Sequence, residues 1–251
     1  MPDSTQQTRV TNFFEVHAET YGKFFAAETH TGAAETFRNR LDLVAKALAG
    51  GSGRLLDMAS GTGEITAAVN ACGDYSHVFV NDISVTMLDT ARRTLVPRAG
   101  QQVVFSNLDG FTLGDNQELA ALDVILCLGL IAHVGRLDEL FAMFDKLLQP
   151  SGRVAMQTTV ADQHFVRISR VINERRVAAG NLNPIHFFRV SEITEAARRA
   201  GFALEHEERF GVQLPFGDKL LGPGNFVIER MFGRDIGRFG GEAVLVFRKA
   251  A

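Results

Sequence analysis

The chain has 251 residues, 46% hydrophobic and 22% charged, which excludes a disordered or fibrous protein. Its 26 Lys and Arg against 29 Asp and Glu give a formal net charge of −3, without the basic excess of a nucleic-acid surface, so no nucleic-acid partner is expected. The two cysteines, Cys72 and Cys127, suit neither a disulfide framework nor a metal site, which implies a reducing, cytoplasmic setting and no catalytic metal.

In chain order, the opening MPDSTQQTRVTNFF lacks the charged start and apolar run of a secretory signal. Residues 11–49 then carry two helical patterns, FFEVHAETYGKFFAAE and ETFRNRLDLVAKAL, before any strand. From about 54 to 158, short β-rich runs alternate with helical ones. The expected strands are 54–59, 77–82, 102–107, 122–128 and 152–158. The longest apolar run, LDVILCLGLIAHV from Leu122, falls short of the ~20 residues that span a bilayer, so no integral membrane segment is expected. Strand and helix alternating at this spacing predict an α/β fold with a parallel, doubly wound sheet.

Beyond residue 159 a long helix is expected from DQHFVRISRVINERRVAAG, then a loop NLNPIHFF. The helix SEITEAARRA follows, with serine in the N-cap position and glycine past its end. FALEHEERF and EAVLVFRKA read as two closing strands. The connection between them, about 211–240, mixes phenylalanines with arginines and is long enough for a lid, a homodimer contact or a membrane-surface element. Twenty Phe against two Tyr and no Trp point to a Phe-filled core, an aromatic-lined pocket, or both.

The stretch LLDMASGTGEIT, residues 55–66, has the outline of a strand entering a helix through a glycine turn. Parallel sheets bind ligands at such strand ends, beside the point where strand order reverses. Gly61 and Gly63 allow close approach of the backbone. The third glycine of a dinucleotide turn is replaced by Thr66, and Glu64 places a carboxylate where a pyrophosphate needs positive potential. No glycine–lysine–serine/threonine run for a triphosphate is present. The next strand ends in Asp82, about twenty positions on, where an acid can accept ribose hydroxyls. An adenosine ligand without a buried pyrophosphate fits this set.

These residues resemble the class I S-adenosylmethionine-dependent methyltransferases. LLDMASGTGEIT resembles the family's first motif, with Asp57, Ala59, Ser60, Gly61 and Gly63 around the cofactor and Ala59 in place of a glycine. VFVNDISVTML resembles the second, implying Asp82 on the ribose and Ile83 and Met87 against adenine. VVFSNLDGF implies Asp109, Gly110 and Phe111 near the adenine amino group, and LDVILCLGLIAHV implies Cys127 and Leu128 beneath the cofactor. The resemblance implies one Rossmann-like domain over 1–251, with a seven-stranded sheet and an antiparallel last strand. Within it, 11–49 would be a helical cap, 54–158 the cofactor-binding core, 159–240 a substrate and lid region with inserted helices, and 241–251 the closing strand. It further implies S-adenosylmethionine as cofactor, a small-molecule acceptor, and Tyr21 of the cap closing over the cofactor. Arg38 or Arg40 would meet the cofactor carboxylate or lie on a solvated helix face.

Methyl transfer to a phenol, hydroxyl or carbon needs a proton acceptor, and His133, just after the fourth strand, is one candidate. His186, in the loop before the penultimate helix, is the other, with Phe187, Phe188 and Arg189 beside it. His164, Arg167 and Arg170 either face an acidic substrate or form a solvated face. Two alternatives keep the cofactor. One is chemistry on its aminocarboxypropyl arm with release of methylthioadenosine, and the other is a non-catalytic binding module. A nicotinamide-dependent oxidoreductase fits less well, because of Glu64 and Thr66.

Overall fold

The computed structural model describes residues 4–163, 185–211, 217–232 and 240–250, together with Val166, Arg170, Val171, Glu174, Arg175 and Val177. Two helices precede the sheet, α1 (Ser4–Lys23) and α2 (Gly32–Ala47). The central alternation is β1 (Ser52–Asp57), α3 (Glu64–Ala71), β2 (Asp74–Asn81), α4 (Val85–Thr94), β3 (Gln102–Ser106), β4 (Leu122–Leu128), α5 (Leu130–Val134), α6 (Leu137–Leu147) and β5 (Leu148–Thr159). Then come α7 (Val190–Arg199), β6 (Phe202–Phe210), α8 (Gly217–Leu221), α9 (Pro223–Phe232) and β7 (Glu242–Lys249).

The seven strands form one sheet in the order β3-β2-β1-β4-β5-β7-β6. The first five are parallel, and β7 runs antiparallel between β5 and β6. The direction of strand order reverses between β1 and β4, which opens a crevice at their carboxyl ends.

Period-two alternation in the strands feeds two cores. Leu56, Ile125, Cys127, Met156 and Leu245 face one side, against Phe141 and Phe144 of α6 and Ile193 of α7. Leu55, Val124, Leu126, Ala155 and Val244 face the other, against Val44 of α2, Val69 of α3 and Leu88 of α4. Phe141 anchors the first core edge-on to Phe144 and Phe247, with ring centroids 5.5 and 5.4 Å apart. Each fully buried ring of this kind contributes roughly 1.5–3 kcal/mol.

Local chemistry sets the helix ends. The Thr31 hydroxyl accepts the Ala34 N–H (3.1 Å) at the start of α2, and the Ser84 hydroxyl accepts the Met87 N–H (3.1 Å) at the start of α4.

Three expectations need correction. The weak helical segment expected near NQELAAL, 116–122, forms only a short 3-10 turn, Gln117–Leu119, after another at Gly110–Asp115. The N-cap of α7 is Arg189, two residues before the expected Ser191. The Glu192 carboxylate reaches back to accept the Arg189 N–H at 2.7 Å, so the first turn closes around Arg189. β5 starts at Leu148, earlier than the apolar pattern implies, because Leu148 already pairs with Leu122 at the start of β4. The long helix expected after Asp162 falls mostly outside the described residues, as do His164 and Arg167, while Arg170 pairs with Glu174 at 2.9 Å.

Candidate functional site

A cavity of 280 Å³ opens at the carboxyl ends of β1, β2 and β4, beneath α1. Its floor comes from the first glycine turn. Gly61 has φ +55°, and a Cβ built there would meet no atom within 4 Å, so its backbone faces open space. Gly63 has φ +87° and caps α3, but it is packed against Ala91 at 3.0 Å. The first glycine is open toward the cavity, whereas the second lets α3 lie close to α4.

Buried acids and amides hold the strand ends in place. The Thr66 hydroxyl donates to Asp57 at 2.6 Å, so the residue that replaces a third glycine fixes the β1 carboxylate. Burial pushes the Asp57 carboxyl up to about 7, against that hydrogen bond and the Ala59 N–H. Asp82 accepts the Gly61 N–H (2.8 Å) on one oxygen and the Ser84 N–H (2.9 Å) on the other, and it lines the cavity. Asn81 donates to the Met58 and Leu108 carbonyls at 3.1 and 3.0 Å, clamping the ends of β1 and β3 across β2.

Ala59, Ser60, Ile83, Met87, Asp109, Gly110, Phe111 and Leu128 also line the cavity. Asp109 accepts the Phe111 N–H at 3.0 Å, which turns that ring inward. Cys127 is not in the wall: it is fully buried one layer below, in the core that packs on α6.

The opposite wall is aromatic. Phe14, Tyr21 and Phe25 reach in from α1 and the turn after it. Phe14 lies edge-on to both Tyr21 and His133, at 5.6 and 5.3 Å. The phenylalanine excess therefore serves core and cavity alike. Burial, then the neighbouring His186, pushes the His133 imidazole down to about 4, so it is neutral near pH 7. His186 is not in the cavity wall. Its N–H donates to the Ala132 carbonyl at 2.7 Å, and its ring covers Gly135, where a Cβ would approach to 2.7 Å. It supports α5 from behind, and Phe188 packs into the core beside it.

Arg40 settles the choice between cavity and solvated face. It lines the cavity, its guanidinium sits 4.2 Å over the Phe37 ring, and Nη1 donates to Gln157 Oε1 at 3.0 Å. Its buried Nε has no hydrogen-bond partner among the described residues. Arg38 turns the other way, to Glu35 and the Ala26 and Thr29 carbonyls. The sequence signal was present: Arg40 follows Phe37 by three residues and precedes Val44 by four, which places a cation on the apolar stripe of α2. Asn81, Phe14 and Glu15 carried no comparable signal, because their roles depend on which strand and helix ends meet.

The arrangement can hold an adenosine with a zwitterionic amino-acid arm. It offers a carboxylate beside open glycine backbone, apolar walls that include Met87 and Phe111, and a cation whose buried Nε–H is unfilled. Among the described residues, no group of three or more His, Cys, Asp and Glu could hold a metal ion, and no helix is long and apolar enough to cross a membrane.

Residues 56–154 match the model of a family described as Methyltransferase domain. No curated protein matches the chain. Among solved structures, the chain is similar to magnesium protoporphyrin IX methyltransferase from Synechocystis PCC 6803 with bound S-adenosylhomocysteine (TM-score 0.66, 13% identity, 98% of this chain and 100% of that one). It is also similar to an S-adenosylmethionine-dependent methyltransferase from Thermotoga maritima (TM-score 0.60, 17% identity, 95% and 99%). A third similar structure is the cyclase SpnF (TM-score 0.59, 17% identity, 96% and 95%). At these identities the likeness is one of fold: the same sheet continues through both ends of the chain.

Proposed function

We propose that this chain, whose residues 56–154 match a methyltransferase domain, is a class I, S-adenosylmethionine-dependent enzyme that methylates a small molecule held under α1. The observation that carries the reading is the single cavity shared by Gly61 and Asp82 on one side and Phe14 and His133 on the other. A cofactor and an acceptor can meet there, but the α1 roof leaves little room for a folded macromolecule.

In this reading Asp82 accepts the ribose hydroxyls. Ile83 and Met87 face the adenine, and Asp109, Gly110 and Phe111 close its far edge. Gly61 and Ser60 border the amino-acid arm, with Gly63 holding the turn behind them. Arg40 meets the carboxylate, which supplies the partner that its Nε lacks. Tyr21 closes over the arm from α1, and Cys127 supports Leu128 from below.

The cofactor supplies an electrophilic methyl on a sulfonium. An acceptor's lone pair would take that methyl as the carbon–sulfur bond breaks, with S-adenosylhomocysteine as the leaving group. Phe14, Leu130 and Val134 exclude water and align the acceptor behind the methyl. His133, neutral in its buried setting, takes the proton that the acceptor loses. His186 acts by holding α5 and hence His133, so it is a positioning residue.

Mass spectrometry of the nucleosides formed from S-adenosylmethionine, with and without a small-molecule extract of the host, tests this directly. S-adenosylhomocysteine that rises only with extract is the expected result. Methylthioadenosine would instead place the chemistry on the aminocarboxypropyl arm. Tight cofactor binding without turnover in any extract would favour a binding module.

A further inference from the structure

Arg40 is one end of a buried polar chain that leaves the cavity and ends on the last strand. Gln157 of β5 presents Oε1 to Arg40 Nη1 at 3.0 Å, and its Nε2 donates to Glu242 Oε2 of β7. The other Glu242 oxygen accepts the Thr159 hydroxyl at 2.8 Å. Gln157 and Glu242 are only 5% and 4% exposed, so water does not compete for these bonds. The amide has a direction. Both Glu242 oxygens accept hydrogen bonds, so Gln157 keeps its NH₂ end on that side chain, which leaves the carbonyl end for the guanidinium.

Tyr21, Asp57 and Glu64 face Arg40 along with Glu242, while Arg40 and Glu229 of α9 face Glu242. Burial alone would disfavour a charged Arg40, and the acids beside it oppose that tendency. Glu242 is the one acid of this set joined to Arg40 through an intervening side chain.

We propose that Glu242 is a positioning residue for the cofactor carboxylate, acting through Gln157 on Arg40. The inference rests on the reading that Arg40 meets that carboxylate. It makes the strand contributed by the C-terminal end of the chain part of the cofactor site, although Glu242 does not line the cavity. A buried charge-assisted chain of this kind fixes a long side chain that would otherwise sample several rotamers.

The test compares two nucleosides by calorimetry on the full chain. S-adenosylhomocysteine carries the carboxylate, and 5′-methylthioadenosine lacks the whole amino-acid arm. Glu242→Gln and Gln157→Leu should each weaken S-adenosylhomocysteine about threefold to tenfold and leave methylthioadenosine within about twofold. In an Arg40→Gln background neither change should weaken S-adenosylhomocysteine further. Equal loss of both nucleosides, undiminished S-adenosylhomocysteine affinity, or full additivity with Arg40→Gln would overturn the proposal. If Arg40→Gln itself fails to separate the two nucleosides, the assignment of Arg40 to the carboxylate is wrong, and the experiment distinguishes that failure from the others.

Discussion

Glu15 on α1 is joined to Thr86 on α4: its carboxylate accepts the Thr86 hydroxyl and N–H, and also the Val85 N–H at 2.7 Å. The acid thus sits on the N-terminus of α4, where backbone N–H groups are unpaired and the helix dipole favours negative charge. The contact lies just past Asp82 and Ser84, so it latches the roof of the cavity to the strand end that forms its floor. The Thr86 hydrogen bond leads in holding the Glu15 carboxyl below its ordinary range.

Glu15→Ala should release α1. Loss of one such cap is worth about 1 kcal/mol, so S-adenosylhomocysteine affinity should fall roughly fivefold. Amide exchange in residues 4–23 should quicken. Because the folded carboxyl is depressed, the latch contributes above the ordinary carboxylate range and is lost as pH falls through it. Unchanged exchange in α1 would show that the roof is held by its aromatic contacts alone.

Two alanine substitutions in the glycine turn should separate folding from binding. Gly63→Ala forces a Cβ onto Ala91 at 3.0 Å with φ +87°, and should cost about 2–4 kcal/mol of stability in thermal or urea melts. Gly61→Ala meets no protein atom, so its stability cost should stay near 1 kcal/mol, while cofactor affinity falls at least about tenfold because the methyl fills the ligand's space. Similar melting temperatures for the two variants would contradict this division.

Asp82→Ala should weaken S-adenosylmethionine at least about tenfold in calorimetry, through loss of a charge-assisted acceptor. The variant also frees the Gly61 and Ser84 N–H groups, so the turn should loosen as well. Affinity equal to that of the parent chain would show the ribose assignment to be wrong.

His133→Ala should lower kcat about a hundredfold while leaving S-adenosylhomocysteine affinity near that of the parent. With its imidazole pushed down to about 4, the parent enzyme should show no titration of this group between pH 5.5 and 8. An acceptor that arrives already ionised would leave kcat unchanged in the variant.

Among the described residues, three buried groups shape the pH dependence of the unliganded fold between about pH 4 and 7, and Asp82, also raised by burial, acts in the same sense as the acids. Asp57 and Glu242 are each pushed up to about 7 by burial, from ordinary values of 3.8 and 4.5. From those values up to pH 7 the folded chain keeps protons that the unfolded chain releases, so this pair lowers stability as pH rises. His133 works the other way, with stability lost as pH falls from 6.5 toward 4. Two groups outweigh one, and from 6.5 to 7 only the acids act. The melting temperature should therefore fall between pH 5.5 and 7.5, by less in Asp57→Asn. A rise across that window, or an unchanged slope in Asp57→Asn, would contradict these protonation states.

Much of the architecture follows from short-range chemistry. The five parallel strands and two closing strands are written in apolar or alternating runs of six to nine residues, and their alternation decides which side chain enters which core. The glycine turn is equally local: Asp57, Gly61, Gly63 and Asp82 sit at fixed offsets from strand ends, so their placement follows once the strands form. The helix caps were less legible. Ser191 has the chemistry of a cap, but Arg189 and Glu192 close the turn because the chain enters α7 from the Val160–Phe188 bridge.

What the sequence determined by itself, then, is the βαβ frame, the glycine turn and the acids at its strand ends, since each depends on neighbours within about thirty positions. Only the tertiary structure decided which of two arginines enters the cavity, which of two histidines lines it, and that Glu242 stands behind Arg40. Those outcomes depend on α1, α2 and β7 meeting across one sheet, over separations such as the 117 residues between Arg40 and Gln157. No local pattern encodes a meeting of that range. It is fixed by burial of the two cores, which brings the ends of the chain together and leaves the few polar groups trapped between them to find one another.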